Sequence, residues 1–82
     1  METWAKKRTF KQWIKRYVNK DTPLGDLARD VAADPAFPDS TDLALVGLHL
    51  SAQFPCYACI DVFRTACKRY TTWLMKELWG DA

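Results

Sequence analysis

Apolar residues recur along this chain at spacings of three and four, which is the period of an α-helix, and the runs stop near prolines. The first run consists of Phe10, Trp13, Ile14, Tyr17 and Val18. These positions form one face of an amphipathic helix, and Thr9 is placed to cap its start. The spacing therefore predicts a first helix over about residues 9–19.

The second run begins at Thr22-Pro23, a capping hydroxyl followed by proline at the first helical position. Its apolar positions are Leu24, Leu27, Ala28, Val31 and Ala32. Pro35 disfavours a helical conformation at Asp34, so this helix is expected to end there. Gly25 lies inside the helix, where the absence of a side chain favours close approach of a neighbouring segment.

The segment 34–40 is predicted to be a structured corner, because Pro35 and Pro38 stiffen it and Phe37 between them is expected to plug the core. This corner argues against a helix-turn-helix. Its turn is too long, and the helix that follows offers no Lys or Arg to a DNA groove.

The third helix is predicted over about residues 41–52, with Ser40 or Thr41 as its cap. Its apolar residues point in nearly every direction, which is typical of a buried central helix. They are Leu43, Leu45, Val46, Leu48 and Leu50.

After Phe54-Pro55, a sustained periodic pattern predicts one long helix from about Tyr57 to Trp79, roughly 33 Å long. Its last turns are expected to project beyond a core of this size. With no strand pattern, the fold class predicted is all-α, a compact four-helix domain with a long C-terminal helix.

At 82 residues the chain is expected to form a single domain, residues 1–82, with its core over about residues 9–73. Its hydrophobic content of 49% is enough for a core. We see no leader-like segment at the N-terminus and no apolar run long enough to span a bilayer. The expectation is a cytoplasmic protein with no membrane partner.

The net charge of +2 conceals an uneven distribution, with basic ends and an acidic middle. The candidate basic surface on the terminal helices consists of Lys7, Lys11, Lys15, Arg16, Arg64, Lys68 and Arg69. The candidate acidic surface consists of Asp26, Asp30, Asp39 and Asp42. Trp73 and Trp79 are candidate aromatic anchors, because tryptophan is enriched at interface hot spots.

In order and spacing, several of these residues resemble the YozE-like family of small bacterial proteins. The shared elements are Phe10-x-x-Trp13-Ile14, Gly25-Asp26-Leu27-Ala28, Asp34-x-x-Phe37-Pro38, Leu48–Leu50, and Val62-Phe63 with Tyr70. The resemblance covers about residues 9–73 and implies a four-helix, sterile-alpha-motif-like (SAM-like) fold. It carries over no catalytic residues. The Cys56/Cys59 pair and the Trp-rich end depart from the family pattern.

Candidate chemistry is sparse. Cys56, Cys59 and Cys67, together with His49, contain the residue types of a zinc site, but Cys59 and Cys67 do not share a helical face. We therefore expect the cysteines to be packing residues and His49 to be a core or boundary residue. No catalytic residue, metal site, cofactor or small-molecule substrate is predicted, and the protein is not expected to be an enzyme.

The leading functional prediction is a protein–protein adaptor that uses the basic terminal helices and the acidic middle, including self-association between the two. SAM-like domains often associate through such unlike surfaces. The alternative is a nucleic-acid-binding accessory protein that contacts the phosphate backbone. A surface that only keeps a small protein soluble fits the same charges.

Overall fold

A computed structural model of the protein describes residues 8–53 and 57–79, and in the second segment the side chains from Asp61 onward. Helix α1 (Phe10–Ile14) continues as a 3-10 turn (Lys15–Tyr17), and α2 (Pro23–Ala32), α3 (Leu43–Gln53) and α4 (Tyr57–Trp79) follow. Within the described residues the secondary structure is helical, with no strand. The prediction of an all-α, four-helix domain with a long C-terminal helix is confirmed.

The core is built around Phe10, which is fully buried at the start of α1. Its ring lies within 5.5–6.3 Å of the rings of Trp13, Phe37, Phe63 and Tyr70, measured between centroids. Burial of one such aromatic ring contributes about 1.5–3 kcal/mol to folding. This cluster joins α1, the corner before α3, and α4 in one apolar centre.

The first helix is shorter than predicted, since α-helical geometry ends at Ile14 and a 3-10 turn takes its place. The tighter turn is closed by hydrogen bonds from the Val18 amide to the Lys15 carbonyl and from the Lys20 amide to the Tyr17 carbonyl. A 3-10 turn is common at a helix end because it uses carbonyls left without an α-helical partner. The predicted cap is confirmed, since the Thr9 hydroxyl accepts from the Gln12 amide.

The junction into α2 follows the sequence prediction. The Thr22 hydroxyl accepts from the Gly25 amide, and Pro23 occupies the first helical position. A Cβ atom added to Gly25 would lie only 1.9 Å from the Lys20 carbonyl oxygen, so the predicted close approach is confirmed. Phe37 is buried, as predicted for the corner.

Helix α3 differs from its prediction in two ways. Its cap is Asp42 rather than Ser40 or Thr41, because the Asp42 carboxylate accepts from the Ala44 amide. The helix is also not central: Val46 and Leu50 are buried, whereas Leu45 and Leu48 expose 47% and 71% of their surface. The physical reason is that α3 packs chiefly on α4, and its opposite side has no helix packed on it among the residues that the structure describes.

Helix α4 is 23 residues long, which corresponds to roughly 34 Å along its axis. Ala66 and Tyr70 are buried in its middle, whereas Leu78 and Trp79 are exposed, as expected of projecting last turns. The Tyr70 hydroxyl donates to the Arg8 carbonyl, and the Arg8 side chain pairs with Glu77 at 2.9 Å. Two contacts therefore join the segment before α1 to α4, one at Tyr70 and one at Glu77.

Candidate interaction surfaces

One concave site is a cleft of about 480 Å³ between α4 and the segment that joins the 3-10 turn to α2. Its wall is mainly apolar, and its lining residues include two cationic side chains. The lining residues are Tyr17, Lys20, Thr22, Pro23, Leu24, Asp61, Val62, Thr65 and Arg69. A volume of this size lies within the range of small-molecule pockets.

A second depression of about 380 Å³ shares Tyr17 and Arg69 with this cleft. It adds Lys68, Thr72, Trp73 and Lys76. Together the two form what we call the basic groove. Its α4 wall runs from Asp61 to Lys76, roughly 22 Å along the helix axis.

The electrostatic character of the groove is positive. Lys20, Lys68, Arg69 and Lys76 line it, and Asp61 is the acidic residue among its lining residues. Cationic side chains grouped over a partly apolar wall raise the local concentration of anionic partners. The apolar wall gives such a partner a surface to bury.

Arg16 forms part of the support of this groove. Its guanidinium carbon lies 4.9 Å from the centroid of the Trp73 ring and 5.9 Å from that of Trp13. Cation–π contacts at exposed sites contribute about 0.5–1 kcal/mol each. They hold the 3-10 turn beside α4, so the two walls of the groove keep their spacing.

The structure brings together only part of the predicted basic surface. Lys68 and Arg69 line the groove, whereas Lys15 is exposed on the 3-10 turn and bonds to Gln12. Lys11 is close enough to Asp34 for its charge to help lower the pKa of that carboxyl. Arg64 is exposed and is not among the residues that line the groove. Lys7 lies outside the described residues.

The predicted surface did not include several of the lining residues, among them Tyr17, Lys20 and Lys76. Tyr17 has the spacing of a core residue of the first helix, which concealed its half-exposed position. For Lys76, the available signal was its place in the helical row from Asp61 to Lys76. For Lys20, it was its position in the short link between Tyr17 and Pro23.

The predicted acidic surface is largely engaged in local structure. Asp26 pairs with Arg29, whose guanidinium also donates to the carbonyls of Val18 and Lys20. Asp39 accepts from the Thr9 hydroxyl, and Asp42 caps α3. Asp30 is exposed on α2. Asp26, Asp39 and Asp42 therefore stabilise turns and helix ends.

His49 is a satisfied boundary residue, in agreement with the sequence prediction. Its Nε2 lies 2.6 Å from Asp34 Oδ2, and its ring packs edge-on against Phe37 at 5.3 Å. The hydrogen bond from His49 is the main cause that lowers the pKa of the Asp34 carboxyl below its ordinary value of 3.8. The hydrogen bond between Asp34 and His49 therefore links the corner to α3.

Cys67 is partly buried in α4, and this burial raises the pKa of its thiol. Cys56 and the side chain of Cys59 lie outside the described residues. Among the side chains that the structure describes, no group of three or more His, Cys, Asp or Glu residues is placed to hold a metal ion. No helix in the described ranges has the length and apolar character to cross a bilayer.

The two candidate aromatic anchors differ in environment. Trp73 is half-buried, packs against the core and lies under Arg16. Trp79 exposes 68% of its surface at the end of α4. Trp73 therefore contributes to the wall of the groove, and Trp79 remains an exposed apolar residue away from it.

Comparison with known proteins identifies one family. Residues 9–72 match the family described as YozE SAM-like fold. Because the match spans most of the chain, the protein belongs to this family, and the predicted resemblance is confirmed. Searches of curated proteins and of solved structures give no significant match.

Proposed function

We propose that this member of the YozE SAM-like family is a non-catalytic adaptor that binds an acidic segment of a protein partner in the basic groove. The observation that carries the proposal is the combination of an apolar wall with Lys20, Lys68, Arg69 and Lys76 along one side of the molecule. Carboxylates on a partner would pair with these cations, while its apolar side chains would enter the cleft.

A protein partner suits this groove better than a nucleic acid does, because the deeper cleft is lined by Tyr17, Pro23, Leu24 and Val62. Phosphate contacts call for cations and hydrogen-bond donors rather than an aliphatic wall. The nucleic-acid alternative is supported by the row of Lys68, Arg69 and Lys76 on α4. It stays as the second candidate.

A binding role is also supported by the state of the groups suited to acid–base chemistry. His49 is engaged by Asp34 and packed on Phe37, away from the lining of the groove. A general base needs access to a substrate proton within hydrogen-bond distance, and His49 is not among the residues that line the groove.

The proposal is tested by photo-crosslinking in living cells that contain the protein. A photoreactive amino acid replaces Thr65, which lines the cleft, and in a matched control it replaces Thr71, an exposed residue of α4 outside the groove. We expect a discrete protein adduct from position 65 and none from position 71. The crosslinked segment should be rich in Asp and Glu.

A nucleic-acid adduct from position 65 would instead assign the groove to the second candidate. Equal adducts from positions 65 and 71 would show that the groove is not selective, which would contradict both candidates. Binding of a labelled random-sequence duplex at about 50 mM salt provides the independent check, because backbone binding is strongest at low ionic strength.

A further inference from the structure

Two faces of helix α3 carry residues at the three- and four-residue spacing of a helix face that packs on a neighbour. One face, with the buried residues Val46 and Leu50, packs on the core. The other is exposed and consists of Ala44, Leu45, Leu48, Ser51 and Ala52, at positions i, i+1, i+4, i+7 and i+8. This second face has the periodicity of a packed helix but no neighbour among the described residues.

The charge distribution sets this face apart from the rest of the molecule. The chain contains 12 basic and 10 acidic residues, and none of them lies in Leu43–Gln53. Depletion of charge is the compositional mark of an interface core. An acidic occupant of the basic groove would find no cation here, so the two surfaces require different partners.

We propose that a second copy of this chain covers this face, with the two α3 helices antiparallel and related by a two-fold axis at Leu48. Leu48 is the midpoint of Leu43–Gln53, and small residues, Ala44 on one side and Ser51 and Ala52 on the other, allow close approach along its length. In a two-fold contact the same surface patch meets itself, so the patch must be complementary to itself. An uncharged apolar face meets that condition.

The antiparallel direction follows from the ends of the helix. Asp42 caps the N-terminus of α3, so a parallel pair would place two Asp42 carboxylates side by side. In the antiparallel pair they lie at opposite ends, roughly 18 Å apart along the axis. Like charges are thereby separated, whereas the two Leu48 side chains meet at the centre.

The size of the face sets the expected strength. A stable interface buries about 800 Å² per partner, which is about one-seventh of the 5593 Å² surface of this molecule. A single helical face of this length supplies only part of that area. We therefore expect a weak dimer, with a dissociation constant on the order of 100 µM. This inference is independent of the proposed function.

Sedimentation equilibrium of the full chain from about 10 µM to about 1 mM tests the dimer, because that range brackets the expected dissociation constant. The mass should rise from 9.5 kDa toward twice that value. Leu48→Glu should remain monomeric. The control is Leu78→Glu, which makes the same change at an exposed leucine of α4 and should behave as the wild type. Far-UV circular dichroism verifies that both variants are folded.

A mixture of Leu48→Glu and Leu48→Lys gives the sharper result. If the two Leu48 side chains meet at a two-fold axis, the mixture should associate more strongly than either variant alone, because unlike charges then face each other. A wild-type protein that is monomeric throughout the range overturns the proposal, as does a dimer unaffected by Leu48→Glu. Failure of the mixture to associate more than its components overturns the two-fold arrangement at Leu48.

Discussion

Gly25 is the residue on which the junction between the 3-10 turn and α2 depends. The Lys20 carbonyl occupies the place where a side chain would begin, and the same carbonyl accepts a hydrogen bond from Arg29. This close approach was predictable because glycine inside a helix is otherwise unfavourable by about 1 kcal/mol relative to alanine. The sequence could not show which segment approaches.

We predict that Gly25→Ala lowers the free energy of unfolding by about 2 kcal/mol or more, because the new methyl group must displace backbone. Gly47→Ala is the matched control. Its added methyl group would meet only the Phe63 ring, at 3.2 Å, and the gain in helix propensity offsets part of that contact. Denaturant unfolding of both variants measures the difference, and equal losses would contradict the account of Gly25.

The Asp34–His49 pair makes the free energy of unfolding depend on pH in the acid range. Because the pKa of Asp34 is lowered in the folded protein, its contribution is present above the ordinary value of 3.8 and is lost as the pH falls below it. We predict that Asp34→Asn lowers the Tm at neutral pH and makes the acid-side decline in Tm less steep. Asp30→Asn, at an exposed position on α2, serves as control. An unchanged acid profile in Asp34→Asn would contradict the role of the pair.

At the scale of elements, the sequence predicted the starts of α1 and α2 and the extent of α4 because these depend on local rules. Thr9, Thr22 and Pro23 act within one turn of their own position. The environment of α3 was not predictable in this way. An apolar helix has the same pattern whether its second side is covered by its own domain or by a partner, and the resulting expectation of a central helix was wrong.

The contact between α4 and the segment before α1 also includes a titratable group, the Tyr70 hydroxyl. Burial raises the pKa of Tyr70 to about 12 from its ordinary value of 10.0. Its stabilising contribution is therefore present below about pH 10 and is lost as the pH rises through the folded value. The neutral hydroxyl is the form that donates to the Arg8 carbonyl.

We predict that Tyr70→Phe lowers the free energy of unfolding by about 1 kcal/mol at neutral pH, because the Arg8 carbonyl loses its donor. The variant should also lose part of the alkaline destabilisation. Tyr17→Phe, which changes a half-buried tyrosine in the groove, provides the comparison. The account of Tyr70 would be wrong if the two variants gave the same alkaline profile.

At the scale of the whole molecule, the groove is a tertiary feature that combines residues from 17–24 with residues from 61–76. Helical periodicity shows which residues share a face of one helix, but not which faces of different helices lie together. The sequence therefore predicted the basic character of the terminal segments without separating Arg69, which lines the groove, from Arg64, which does not.

That difference provides the most direct test of the central claim, that the basic groove binds an acidic protein partner. Wild-type protein, Arg69→Glu and Arg64→Glu are compared as baits for quantitative capture from the cells that produce the protein, across a salt series. Both variants make the same charge reversal at an exposed arginine of α4. The account predicts that a salt-sensitive partner retained by wild type and by Arg64→Glu is lost from Arg69→Glu. Equal retention by all three baits, or equal loss from both variants, would contradict it.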